Sequence, residues 1–208
     1  MADEVDTTAR STADVDVTAR SIADPAPLGL AGFALTTFVL SMFNAGLVAQ
    51  EGEPVVFGLA LAYGGLAQFL AGMWEFRKGN TFGATAFSSY GAFWLSFWAY
   101  VTFFATRIPE GNRGSAVGLY LIAWGIFTFY MWIASFRTNT AVMIVFLLLW
   151  ITFVLLGIGD AAGNDSISKF GGWVGLATAL AAFYASFAGV TNFTFGREVV
   201  PVRPLTHA

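Results

Sequence analysis

Residues 69–98 read FLAGMWEFRKGNTFGATAFSSYGAFWLSFW, two apolar runs pinched around the polar break Arg77-Lys78-Gly79-Asn80. The first run closes on Glu75 and two cations. The second opens on Asn80 and Thr81, whose side chains accept hydrogen bonds from the free N–H groups at a helix start. It then carries Gly, Thr, Ser and Tyr through a stretch long enough to cross a bilayer, which takes roughly 20 helical residues. Polar side chains held in hydrocarbon cost free energy and face protein or a water-filled route, not lipid. The stretch predicts a helical hairpin inside a membrane protein that moves something small.

The whole chain agrees with that solvent. Its 208 residues are 57% hydrophobic and 11% charged, with a mean hydropathy of +0.68. A soluble domain averages about 25% charged residues. The 22 Phe and 7 Trp suit lipid contact and interfacial belts. The length allows one domain. The net charge of −3 argues against nucleic acid, and the lack of cysteine excludes thiolate chemistry.

The expected fold class is an all-α membrane protein with six transmembrane helices. Residues 1–24 are polar and acidic, and Thr8-Ala-Arg-Ser-Thr-Ala-Asp14 recurs as Thr18-Ala-Arg-Ser-Ile-Ala-Asp24. This is the composition of a disordered tail, not of a signal peptide. A six-helix domain is expected over 25–195, with spans at 28–49, 54–76, 81–106, 116–136, 141–159 and 170–193. A second tail covers 196–208. Lys and Arg number seven on the side of the tails (Arg10, Arg20, Arg77, Lys78, Arg137, Arg197, Arg203) and three opposite (Arg107, Arg113, Lys169). Cations concentrate in the cytoplasm, so both termini are expected there, in a multi-pass cell-membrane protein.

Gly58-Leu-Ala-Leu-Ala-Tyr-Gly64, Gly118-Leu-Tyr-Leu-Ile-Ala-Trp-Gly125 and Gly175-Leu-Ala-Thr-Ala-Leu-Ala181 open the even-numbered helices at intervals of 60 and 57 residues. These intervals allow three helical hairpins in parallel topology around a central path, as in some transporters built from repeats.

Little enzyme chemistry is available. The single histidine, His207, is next to the last residue, so no His/Cys set binds zinc or haem and no Ser-His pair stands within a helix. No enzyme activity, cofactor or metal is expected. Glu75, beside Arg77 and Lys78, reads first as a snorkelling interfacial pair and second as a proton carrier. On the first helix, Gly29, Phe33, Thr37, Leu40 and Asn44 share one stripe, with Thr37 and Asn44 its polar members. On the second, Gly64, Gln68, Gly72 and Glu75 share a face, the pattern of a close packing seam. On the third, Thr81, Thr85, Ser88, Ala92 and Ser96 form a small polar stripe, with Tyr90 on the other face. Residue type alone aims that stripe at a solute path.

Several motifs carry a resemblance over nearly everything from Asp24 to Pro201. Asp24-Pro25-Ala26-Pro27-Leu28-Gly29-Leu30 leads into the first helix. The hairpin block holds Tyr63-Gly64-Gly65-Leu66-Ala67-Gln68, then Gly72, Glu75, Gly79-Asn80-Thr81-Phe82-Gly83 and Ser89-Tyr90-Gly91-Ala92-Phe93-Trp94. Ala161-Ala162-Gly163-Asn164 and Gly172-Trp173 follow. The chain resembles the acetate uptake transporter family, the succinate–acetate permease or YaaH-like type. Asp24 departs from the motif's Asn; it keeps an acceptor and adds charge.

The resemblance implies a homohexamer of six-helix subunits, each with its own path. It implies uptake of acetate, and in some members succinate, coupled to protons, with channel behaviour as the alternative. It also implies a narrowest point of Phe, Tyr and Leu, which fall here on Phe33, Tyr90 and Leu149. Tyr90 then faces the path and the polar stripe of the third helix becomes a packing seam. Gln68, Glu75, Asn80 and Asn164 are read as packing or polar support. An apolar ring welcomes the methyl of acetate and resists its anion, and hydrogen bonds from Tyr90, Thr37 and Asn44 would offset part of that resistance. A non-transporting membrane sensor shares the same helices. Ammonium pores with paired histidines have no counterpart here.

Overall fold

The structure, a computed structural model, describes residues 22–205. The acidic repeat before Ile22, with Arg10 and Arg20, lies outside the described residues, as does His207. All the long elements are helices. They are α1 (Ala26–Asn44), α2 (Val55–Leu61), α3 (Gln68–Lys78), α4 (Thr81–Ala99), α5 (Glu110–Ser135), α6 (Thr140–Ala162) and α7 (Asp165–Phe195). A π-helical segment, Ala62–Ala67, joins α2 to α3, so Gln50–Lys78 forms one span. A second, Tyr100–Phe104, prolongs α4.

Among the described residues, five helical stretches are long and apolar enough to cross a membrane. The sixth span, α4, is 19 residues long, and its Thr and Ser residues dilute its apolarity. The outward side chains fit lipid as solvent: Phe193 is 80% and Leu119 72% exposed. Apolar exposure repeated around a surface marks contact with membrane or protein, not water.

The hairpin of residues 69–98 forms as read. Gly79 closes α3 with φ +80°, a left-handed conformation that glycine adopts without a Cβ clash. Asn80 caps α4, its Oδ1 accepting from Gly83 N at 3.1 Å. Asn164 caps α7 likewise, accepting from Ser166 N and Ile167 N. Both polar-support positions are thus helix starts.

Helix ends differ from expectation at three places. α1 stops at Asn44, short of residue 49. α5 starts at Glu110, inside the predicted 107–115 break. α6 and α7 are separated only by the turn at Gly163 and Asn164, so Asp160, Ser168 and Lys169 are helical and not loop residues. Hydropathy reports only the hydrocarbon-buried length of a helix. Here the helices continue into the polar interface, where acids near their N-termini, such as Glu110 and Asp165, meet the positive end of the helix dipole.

The spans follow one another around a common interior. α3 packs on α4, α5 on α6, α6 on α7, and α7 closes on α1, which also meets the π segment. Small residues bring the backbones together. A Cβ on Gly72 would meet the Ser88 backbone, and one on Gly32 would lie 2.6 Å from the Tyr63 carbonyl. The α4–α5 seam is filled by rings instead. Phe93 stacks on Tyr120 with centroids 5.7 Å apart, and Tyr90 meets Phe127 edge-on at 5.4 Å.

The C-terminal segment is fastened down. Asn192 Oδ1 accepts from Val199 N and Val200 N, both at 2.8 Å. Tyr184 Oη donates to Pro201 O at 2.6 Å. Thr140 N donates to Arg203 O at 2.9 Å, which satisfies an N–H at the start of α6 that its own helix leaves free.

Candidate functional site

α1 carries the inward stripe that its spacing predicts. Phe33, Thr37, Leu40 and Asn44 border a cavity of about 270 Å³, with Ser41 between them. α6 supplies Leu149, Thr152 and Asp160 to its wall, and Ser168 and Glu53 also border it. Beyond Phe33 and Leu149 lies a second space of about 20 Å³, also bordered by Leu30, Gln68 and Tyr90. That is room for about one water molecule. Phe33 and Leu149 border both spaces and form the neck between them. Tyr90 belongs to the smaller one.

Phe33, Tyr90 and Leu149 are all buried, and the rings of Phe33 and Tyr90 lie 5.8 Å apart. The three expected constriction residues therefore converge from α1, α4 and α6. Tyr90, however, does not offer its hydroxyl to the lumen. Tyr90 Oη lies 2.9 Å from Thr128 Oγ1, and Thr128 donates its own proton to Trp124 O at 2.7 Å. A hydroxyl has one proton to give, so Tyr90 donates to Thr128. The polar help expected from Tyr90 is absent in this conformation; the ring alone faces inward.

Thr37 keeps its hydroxyl free. Its Oγ1 is buried without a partner, although an oxygen at this position can bond the carbonyl one turn back. Trp94 Nε1 is likewise unpartnered, on a side chain that borders the larger cavity. Ser41, Trp94, Thr152 and Asp160 were missed from the sequence. Ser41 is one turn beyond Thr37 and was legible from that spacing. Trp94 stood in the motif Ser89–Trp94 without a role, and the two α6 residues come to the site only through tertiary packing.

The motif that opens α1 is anchored at Asp24 and at Pro27. Asp24 Oδ1 accepts from Ala26 N at 3.0 Å and pairs with Lys78 Nζ at 2.8 Å. Ser186 Oγ donates to Pro27 O at 2.7 Å. Pro25 and Gly29 are buried, and Leu28 is exposed. The motif ties the start of α1 to the hairpin turn and to α7. Leu30 alone of its residues borders the lumen, at the smaller space.

Glu75 overturns its snorkelling reading. It is 0% exposed, neither carboxylate oxygen has a hydrogen-bond partner, and Lys78 pairs with Asp24 instead. Gly83 explains why it fits, since a Cβ there would lie 2.8 Å from the Glu75 carboxyl carbon. The polar stripe of α4 does not face the path: Thr81, Ala92 and Ser96 are exposed, and Ser88 packs on Gly72.

Membrane-length helices packed around two interior spaces, with apolar side chains between them, define a polytopic membrane protein. The chain belongs to the GPR1/FUN34/yaaH family, whose profile matches residues 8–207. It is 41% identical to the succinate-acetate/proton symporter SatP of Escherichia coli over 181 residues, covering 87% of this chain and 95% of that protein. It is 44% identical to acetate permease A of Emericella nidulans, over 86% of this chain and 65% of the longer fungal protein. The solved structure of the bacterial acetate channel SatP superposes with a TM-score of 0.82 at 40% identity, covering 87% of this chain and 99% of that one.

Proposed function

We propose that this protein carries acetate and other short carboxylates, succinate among them, across the cell membrane through the lumen of each subunit. Transport is coupled to protons, the subunits assemble as a homohexamer, and both termini are cytoplasmic. Three hairpins in parallel topology complete this reading. The observation that carries it is the neck: Phe33 and Leu149 separate two spaces inside one chain, under a vestibule with free hydrogen-bond donors.

Acetate has an apolar methyl and a strongly hydrated carboxylate. Burying a bare carboxylate costs several kcal/mol even after relaxation. Thr37, Trp94 and Asn44 stand where the anion sheds water, and Phe33, Tyr90 and Leu149 accept the methyl. A carboxyl near pKa 4–5, by analogy with Glu, is rarely neutral at pH 7, so donors above the neck matter for rate. The aromatic narrowing favours short acids over wide ones.

Purified protein in liposomes is expected to take up labelled acetate in preference to larger acids. Leu149→Ala widens the neck and is expected to admit lactate; unchanged selectivity in that variant removes Leu149 from the path. A second reading, passive flow of the anion, is favoured by the description of the solved relative as a channel. Acetate flux measured with and without an imposed pH gradient separates the two.

A further inference from the structure

Glu75 takes no part in the lumen just described. Its carboxyl lies between α3 and the start of α4, fully buried, with both oxygens unpartnered. The charged groups around it are few. On its own helix Arg77 is exposed, and Lys78 pairs with Asp24 from the segment before α1 at 2.8 Å. α4 faces Glu75 with Gly83 and the Asn80 side chain, and α1 carries no ionisable residue. Buried polar groups in native proteins are almost always satisfied, and an exception asks for a cause such as ordered water or a working role.

The same seam holds more unpartnered oxygens. Gln68 Oε1, two turns along α3, is buried and unpartnered, and so is Ser88 Oγ on α4. Ser88 lies against Gly72, between Gln68 and Glu75 along α3. Seven residues of helix span about 10 Å, and Gln68 borders the small space beneath the neck. Orphaned oxygens thus stand at three levels of α3, from the small space to the carboxyl beside the hairpin turn. Ordered water bridges buried groups of this kind.

We propose that Glu75 is the proton-binding site of the transport cycle, linked to the neck through water held by Gln68 and Ser88. The inference rests on the reading that transport is proton-coupled. The Glu75 carboxylate takes a proton arriving from the small space and becomes a neutral carboxylic acid. It returns that proton to water at the Asp24–Lys78 end and is a carboxylate again. Lys78 is within reach to answer the change, leaning toward Glu75 when it is charged and resting on Asp24 when it is neutral.

Full-length protein in liposomes tests this through two readouts. A pH gradient should drive accumulation of labelled acetate in the wild type, and Glu75→Gln should abolish that accumulation while acetate exchange at equal pH persists. Infrared difference spectra across pH should show a protonated-carboxyl carbonyl band that Glu75→Gln removes and Glu75→Asp shifts. Accumulation in Glu75→Gln equal to wild type, or no band assignable to Glu75, overturns the proposal. Wild-type flux indifferent to the gradient overturns the coupling itself, and the role in transport with it. Should Glu75→Gln fail to fold, Ser88→Ala keeps the carboxyl and cuts the link: slowed accumulation supports the proposal and an unchanged rate overturns it.

Discussion

Four buried threonines, Thr36, Thr128, Thr152 and Thr178, donate their hydroxyls to a carbonyl one turn earlier at 2.7 to 2.9 Å. Thr37 does not, and it borders the vestibule one turn from Phe33. The difference matters because a hydrogen bond to a charged group contributes about 1.5–3 kcal/mol. Thr37→Val keeps the shape and removes the donor. Acetate flux is expected to fall by on the order of tenfold, since about 1.4 kcal/mol corresponds to that factor, with the thermal midpoint unchanged. Flux at the wild-type rate would show that the free hydroxyl does not meet the solute. Tyr90 illustrates the opposite case. From the sequence its hydroxyl was a natural donor to the anion; in the fold Thr128 holds it, because α5 brings an acceptor within 2.9 Å.

Among elements, the α3–α4 hairpin was legible from its sequence down to its turn. Arg77 to Asn80 offers cations, a glycine and a cap in the order that ends one helix and begins the next. The seam between the two helices is tight along α3, from Phe69 against Gly91 to Glu75 against Gly83. A methyl on Gly72 would collide with Ser88, whereas one on Gly58 in α2 meets nothing within 4 Å. Gly72→Ala is therefore expected to destabilise by about 1–3 kcal/mol, the range for overpacking, read as a lower thermal midpoint in detergent. Gly58→Ala should be neutral, or stabilising by up to about 1 kcal/mol through the lower entropy of the unfolded chain. Equal midpoints for the two variants would contradict the close approach. The side of α4 that faces inward was not legible from residue type. Its hydroxyl-rich stripe pointed one way, and the resemblance pointed to Tyr90. The burial pattern agrees with the second because Phe87, Tyr90, Phe93 and Trp94 fill the interior.

At the scale of the whole molecule, both spaces and the neck are bordered by helices of one chain. A subunit with its own lumen works independently of its neighbours. Leu149→Trp is expected to block the neck. In liposomes reconstituted from mixed wild-type and blocked subunits, acetate flux should then fall linearly with the blocked fraction. A steeper fall would mean that the path needs a neighbouring copy. The fastened segment 199–205 belongs to this scale as well. Tyr184 and Asn192 on α7, with Thr140, 63 residues from Arg203, hold it across the start of α6, and no local pattern announces the Thr140 contact.

The sequence by itself determined the solvent, the all-helical fold and the hairpin turn at residues 77–80. Those follow from composition, from the length of hydrocarbon to be crossed and from capping chemistry, all local properties. Only the tertiary structure decided which polar groups are satisfied. Thr37 and Tyr90 differ in availability, and Glu75 lies buried without a partner, because of what neighbouring helices place within about 3 Å, the reach of a hydrogen bond. That distance is set by packing between segments remote in the chain, and no pattern of residues along one helix encodes it.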